Sequence, residues 1–120
     1  MNSAKLLVVD DNVDVREITA LLLRDMNFEV LEADGGKAAL ALIAKDPSID
    51  LMLIDFAMPG MSGADLLRTA RITRPEIKAL FITGYADYAR LQGEFGGEIV
   101  LRKPYTTEQL IAAIHKALAP

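Results

Sequence analysis

A chain of 120 residues, 52% of them hydrophobic, is long enough to bury one core without staples, and its lack of cysteine removes disulfides and thiolate metal sites. A net charge of −4, with no cluster of Lys and Arg, speaks against a nucleic-acid partner, because phosphate backbones draw most of their binding from such clusters. With no signal-peptide pattern and no apolar stretch of membrane-spanning length, we expect one domain over residues 1–120, cytoplasmic and without a membrane partner.

Leu6 to Val9 is an aliphatic run closed by Asp10, Asp11 and Asn12, the pattern of a buried strand ending in acid. Asn12 is placed to cap a helix over Val13 to Met26, where Val15, Ile18, Leu22 and Met26, joined by Leu21, recur at helical spacing. Phe28 to Ala33 interleaves Glu29 and Glu32 with apolar residues, which suits an edge strand. A second helix runs from about Lys37 to Lys45 with Leu42 and Ile43 inward, and Pro47 marks its end.

Leu51 to Ile54 is unbroken apolar sequence, as a strand covered on both faces requires, and it stops at a carboxylate, Asp55. Pro59, Gly60 and Gly63 turn the chain into a helix to Thr73, with Leu66, Leu67 and Ala70 inward and Arg68, Arg71 and Arg74 outside. Ala79 to Ile82 is the fourth strand, ending at Thr83 and Gly84. Tyr85 to Phe95 has helical spacing but carries Gly93 and stops at Gly96, so a short, marginal helix is expected. Ile99 to Leu101 is the fifth strand, Arg102 to Tyr105 its terminal loop, and Thr106 or Thr107 caps a last helix built on Leu110, Ile111, Ile114 and Leu118. His115, the single histidine, sits on that helix away from every strand end.

Five alternating strand and helix units imply an α/β fold, a doubly wound parallel sheet of five strands with five helices, flavodoxin-like. Order 2-1-3-4-5 puts the wet second strand at an edge and the ends of strands one and three side by side, about 4.8 Å apart. Asp10, Asp11 and Asp55 then converge. Carboxylates so close repel one another unless a hard cation sits among them, and Mg2+ suits such oxygen donors. We expect Asp11, Asp55 and the Ala57 carbonyl as direct ligands, with Asp10 acting partly through water. Asp55 can attack phosphorus to give an acyl phosphate, Thr83 can donate a hydroxyl hydrogen bond to the phosphoryl group, and Lys103 can pair with it as a point charge.

Asp10-Asp11, Asp55 with Met58-Pro59-Gly60, Thr83-Gly84 and Lys103-Pro104, each after a strand, together resemble the receiver domain of two-component response regulators, and the likeness covers the whole chain. The resemblance implies a CheY-like signalling module that takes a phosphoryl group onto Asp55 from a histidine kinase or histidine phosphotransferase phosphohistidine, with Mg2+ required. It also implies a cis Lys103-Pro104 bond and an output surface around the fourth helix, fifth strand and fifth helix. Receivers commonly carry Tyr or Phe three residues before the lysine, where this chain has Val100. Phe81-Ile82-Thr83-Gly84-Tyr85 instead resembles a subclass found as stand-alone proteins and as the last module of hybrid histidine kinases. Thr83, Tyr85 and Tyr105 are accordingly the switch candidates. The monomer or a weak dimer is expected, with a downstream protein partner.

Two other readings compete. Aspartyl-phosphate phosphatases also use a strand-end Asp with Mg2+ but typically carry a second Asp two residues on, where this chain has Ala57. A degenerate receiver that only docks would have lost site positions that are intact here.

Overall fold

The structure, a computed structural model, describes residues 4–84, 87–88, 91 and 97–120. Strands β1 (Lys5–Val9), β2 (Glu29–Ala33), β3 (Leu51–Asp55), β4 (Lys78–Thr83) and β5 (Ile99–Arg102) form one parallel sheet in the order β2-β1-β3-β4-β5. Around it lie α1 (Val13–Asp25), α2 (Gly36–Lys45), α3 (Gly63–Thr73) and α4 (Thr107–Leu118). The sheet order is the expected one. The helix count is not: four helices stand among the described residues rather than five, and the segment expected as the extra helix, from Tyr85 to Phe95, falls largely outside them.

Successive residues of a strand point to opposite faces, so a strand covered on both must be apolar throughout. Along β3, Met52 and Ile54 join Leu7, Val9, Ala79 and Phe81 beneath α2 and α3, while Leu51 and Leu53 join Leu6, Val8, Leu80 and Ile82 beneath α1 and α4. Burial of each of the larger side chains is worth about 1.5–3 kcal/mol, which fixes the register of the central strands and with it the position of their carboxyl ends. At the edge, Glu29 is exposed while Val30 and Ala33 are buried, as its alternating sequence requires.

Helix α1 departs from expectation. Its buried residues are Thr19, Ala20 and Leu23, whereas Ile18 and Leu21 are 68% and 63% exposed and Val15 and Met26 lie outward too. The helix carries apolar residues on more than one face. Thr19, Ala20 and Leu23, with Leu22 partly buried beside them, form the covered face, and Ile18 and Leu21 are left outside.

Caps set where the helices begin. Asn12 accepts from the Val15 amide at 3.1 Å and so starts α1 directly after the two acids. Ser62 caps α3 in the same way, and Thr106, not Thr107, caps α4 in a reciprocal capping box with Gln109. Between β3 and α3 the chain turns at Gly60, whose φ of 77° lies in the left-handed region. At Gly63 a Cβ would stand 2.9 Å from Ile54 Cγ2 and 3.4 Å from Phe56 Cα. Gly63→Val should therefore lower the urea midpoint, by an amount equivalent to about 1–3 kcal/mol of overpacking, and an unchanged midpoint would show that α3 can back away freely.

Candidate functional site

The sheet order gathers the carboxyl ends of four strands. Asp10 and Asp11 follow β1, Asp55 ends β3, Thr83 ends β4 and Lys103 follows β5. Backbone bonds lock these tips together: the Phe56 amide donates to the Ile82 carbonyl at 2.9 Å, and the Lys103 amide donates to the Thr83 carbonyl at 2.8 Å. One carboxylate oxygen from each of Asp10, Asp11 and Asp55 lies within 4.8 Å of the other two. Asp10 is buried and Asp11 exposed, and the Asp55 side chain is 14% exposed.

Lys103 Nζ stands 3.8 Å from Asp55 Oδ1, long for a hydrogen bond but close enough for ion pairing. The Ala57 amide also approaches Asp55 Oδ1, at 3.4 Å. Burial pushes the Asp55 carboxyl above its ordinary value. Lys103 opposes that rise, the charges of Asp10 and then Asp11 add to it, and the Ala57 amide works against it. Asp10 Oδ1 accepts from the Asn12 amide at 2.9 Å, which orients this carboxylate from within its own turn.

Thr83 is buried, and its hydroxyl has no hydrogen-bond partner among the described residues. A buried hydroxyl without a partner is costly, and an acceptor placed beside it would satisfy it. The Lys103-Pro104 bond is cis. Tyr105 follows it, half-buried, and its hydroxyl is held above its usual pKa first by burial, against a hydrogen bond with Thr19, with the charges of Asp10 and Asp55 adding. Tyr85 lies outside the described residues. His115 is exposed, its ring meeting Phe28 edge to face at 6.4 Å. Arg16, not among the residues singled out from the sequence, donates from its guanidinium to the Asp10 carbonyl at 3.0 Å. Its place in the first turn after the acids was the available signal.

Three carboxylates and no soft donor make a set suited to a hard divalent cation. The profile of the response regulator receiver domain family matches residues 6–115. The chain belongs to that family. It is 39% identical over 118 residues to the transcriptional regulatory protein CpxR of Klebsiella pneumoniae, covering 95% of this chain and 49% of that protein. It is 34% identical over 122 residues to the sensor kinase CckA of Brucella abortus, covering 97% of this chain and 13% of that protein. The chain thus spans about half, or much less, of these curated relatives. Among solved structures, a response regulator receiver domain protein from Clostridium thermocellum superposes with a TM-score of 0.87 at 31% identity, covering 96% of this chain and 94% of that one.

As a receiver domain the chain has the phosphoacceptor role in two-component signalling, a signalling module and not a classical enzyme. Receiver domains take phosphoryl groups from histidine kinases and bind Mg2+ at an acidic pocket, and a cluster of that composition stands here. Among the described residues no helix is long and apolar enough to cross a membrane.

Proposed function

We propose that Asp55 is the phosphoacceptor of this receiver, in a reaction that requires Mg2+ held by Asp10, Asp11, Asp55 and the Ala57 carbonyl. The observation that carries this reading is the closeness of the three carboxylates to one another, with Lys103 beside the central one. When bound, the cation neutralises the acids and draws phosphoryl oxygens into line. An Asp55 oxygen attacks phosphorus as the phosphorus–nitrogen bond of a phosphohistidine breaks, and the imidazole leaves with the bonding electron pair and takes up a proton. Lys103 pairs with one phosphoryl oxygen, and the Thr83 hydroxyl donates to another. The module catalyses only its own phosphorylation and dephosphorylation.

Its donor is a sensor histidine kinase or a histidine phosphotransferase, and its setting the cytoplasm, as a single domain over residues 1–120 and a monomer or weak dimer. Signal leaves through protein contacts. A cavity of about 490 Å3 beside β5 and the last helix, α4, lined by Tyr88, Val100, Arg102, Pro104 and Gln109 among others, supports an output surface at the fifth strand and the last helix. Val100 occupies the strand position where receivers commonly place an aromatic, which supports the subclass with Tyr two residues after the Thr and casts Thr83, Tyr85 and Tyr105 as switch parts. Likeness to the sensor kinase CckA and to the receiver domain of the hybrid histidine kinase CckA, the latter with a TM-score of 0.79 at 32% identity and covering 97% of this chain and all of that one, supports a second reading. In it this receiver is the C-terminal module of a hybrid kinase.

Incubation with acetyl phosphate and Mg2+ should give a labile phosphoryl adduct by intact mass, not formed when a chelator is present from the start and absent in Asp55→Asn. No adduct on the native chain would leave a docking surface only. Phosphate released from added phosphomonoesters would instead indicate an aspartyl-phosphate phosphatase, the reading that Ala57 disfavours.

A further inference from the structure

Asp10 is held at three of its polar groups. Its amide donates to the Ala33 carbonyl of β2 at 3.1 Å, its Oδ1 takes the Asn12 amide, and its carbonyl takes Nη1 of Arg16 at 3.0 Å. The first two partners are backbone groups that the fold supplies; the third is a side chain. That carbonyl belongs to the peptide joining Asp10 to Asp11. Asp11 is exposed, and the orientation of this peptide plane helps to set where its Cα–Cβ bond points.

Arg16 is not a loose surface cation. Its side chain is 15% exposed, and Nε lies 3.3 Å from Oε1 of Glu32 on β2. Glu32 is held in turn from its other oxygen by Arg24, at 3.5 Å, and Arg24 also donates to the Val30 carbonyl at 2.9 Å. A guanidinium can serve two acceptors at once in fixed geometry, so the edge strand, through Glu32, sets where Arg16 delivers its bond to the acidic turn.

We propose that Arg16, steadied by Glu32, is a positioning residue for the cation site, holding the peptide between Asp10 and Asp11 so that both carboxylates face Asp55. The inference rests on the reading of the three acids as a Mg2+ site and adds what orients them. Outer partners of metal ligands commonly govern affinity by fixing ligand direction before the ion arrives.

The test is titration calorimetry with MgCl2, together with the Mg2+ dependence of phosphorylation by acetyl phosphate followed by intact mass. Arg16→Ala should weaken Mg2+ binding about 10-fold, the lower end of losses seen when such outer partners are removed. At saturating Mg2+ its rate should return to near the native value, because no group that touches the phosphoryl has been lost. Arg16→Lys, which keeps one donor and a charge, should recover part of the affinity, and Glu32→Gln should weaken it less than Arg16→Ala. A folded Arg16→Ala with native Mg2+ affinity, or one whose rate stays depressed at saturation, overturns the proposal. If Arg16→Ala does not fold, Glu32→Gln decides, and unaltered Mg2+ affinity there has the same consequence. A native chain that binds no Mg2+ would remove the cation site itself, whereas a native chain that binds it beside an unaffected variant removes only the role of Arg16.

Discussion

Metal-free Asp55→Asn protein should melt a few degrees above the native chain and gain almost nothing from added Mg2+. Ionised Asp55 is disfavoured in the folded state by burial and by the charges of Asp10 and Asp11, and Lys103 at 3.8 Å, itself 41% exposed and hydrated, offsets this only in part. Asparagine keeps the shape and an oxygen for the Ala57 amide while removing the charge. The carboxyl pKa is raised in the folded chain, so folding tightens proton binding there. The stability Asp55 contributes is therefore present below the ordinary value of 3.8 and is lost as pH rises through the raised one.

The gap between variant and native melting temperatures should accordingly widen from acid toward neutral pH. A difference measurement is needed because Asp46, held down to about 2 first by its hydrogen bond to Lys5, adds a slope of opposite sign common to both proteins. With Mg2+ the order reverses: a cation at 100 times its dissociation constant stabilises the native fold by about 2.7 kcal/mol, and the variant has lost an anionic ligand. Asp11→Asn should shift the metal-free melting temperature in the same direction but less, since Asp11 is exposed. Thermal melts with and without Mg2+ check all of this, and a metal-free Asp55→Asn that melts below the native chain would mean that Lys103 outweighs burial and repulsion together.

The site was legible where an apolar run ends abruptly in a polar group. Leu51 to Ile54 had to be covered on both faces, so Asp55 had to lie at a strand tip, and the wet β2 had to lie at an edge, which brings β1 next to β3. Helix α1 shows the limit. Hydrophobicity ranks Ile18 and Leu21 above Thr19 and Ala20, yet the latter pair is buried, and nothing local says which face the sheet will choose. Arg16 was hidden for a related reason: its acceptor is a main-chain carbonyl, and its counter-ion, Glu32, comes from another strand, so neither partner is marked by composition or period. Asn12 could be read as a cap, and the last cap narrowed to Thr106 or Thr107, because capping is decided within four residues.

Thr83→Val should stabilise the metal-free chain and at the same time remove much of what phosphorylation adds. The Thr83 hydroxyl is buried without a partner among the described residues, and leaving such a group unsatisfied costs about 1–3 kcal/mol. Valine has nearly the same shape, suits a strand, and leaves intact the backbone bond from the Lys103 amide to the residue 83 carbonyl. A rise on the order of 1 kcal/mol, a few degrees in melting temperature for a domain of this size, is expected. Once a phosphoryl group stands on Asp55 the sign changes, because the native hydroxyl then donates to a charged oxygen, an interaction worth about 1.5–3 kcal/mol that valine cannot make. Melting temperatures before and after treatment with acetyl phosphate and Mg2+ should show the native chain gaining more than the variant, and a faster loss of the adduct from the variant by intact mass. A variant less stable without metal would mean that the hydroxyl is already satisfied in solution, and a variant with the full phosphorylation gain would mean that it never reaches the phosphoryl group. The opposing signs separate those failures, because the first concerns only the unphosphorylated chain and the second only the phosphorylated one.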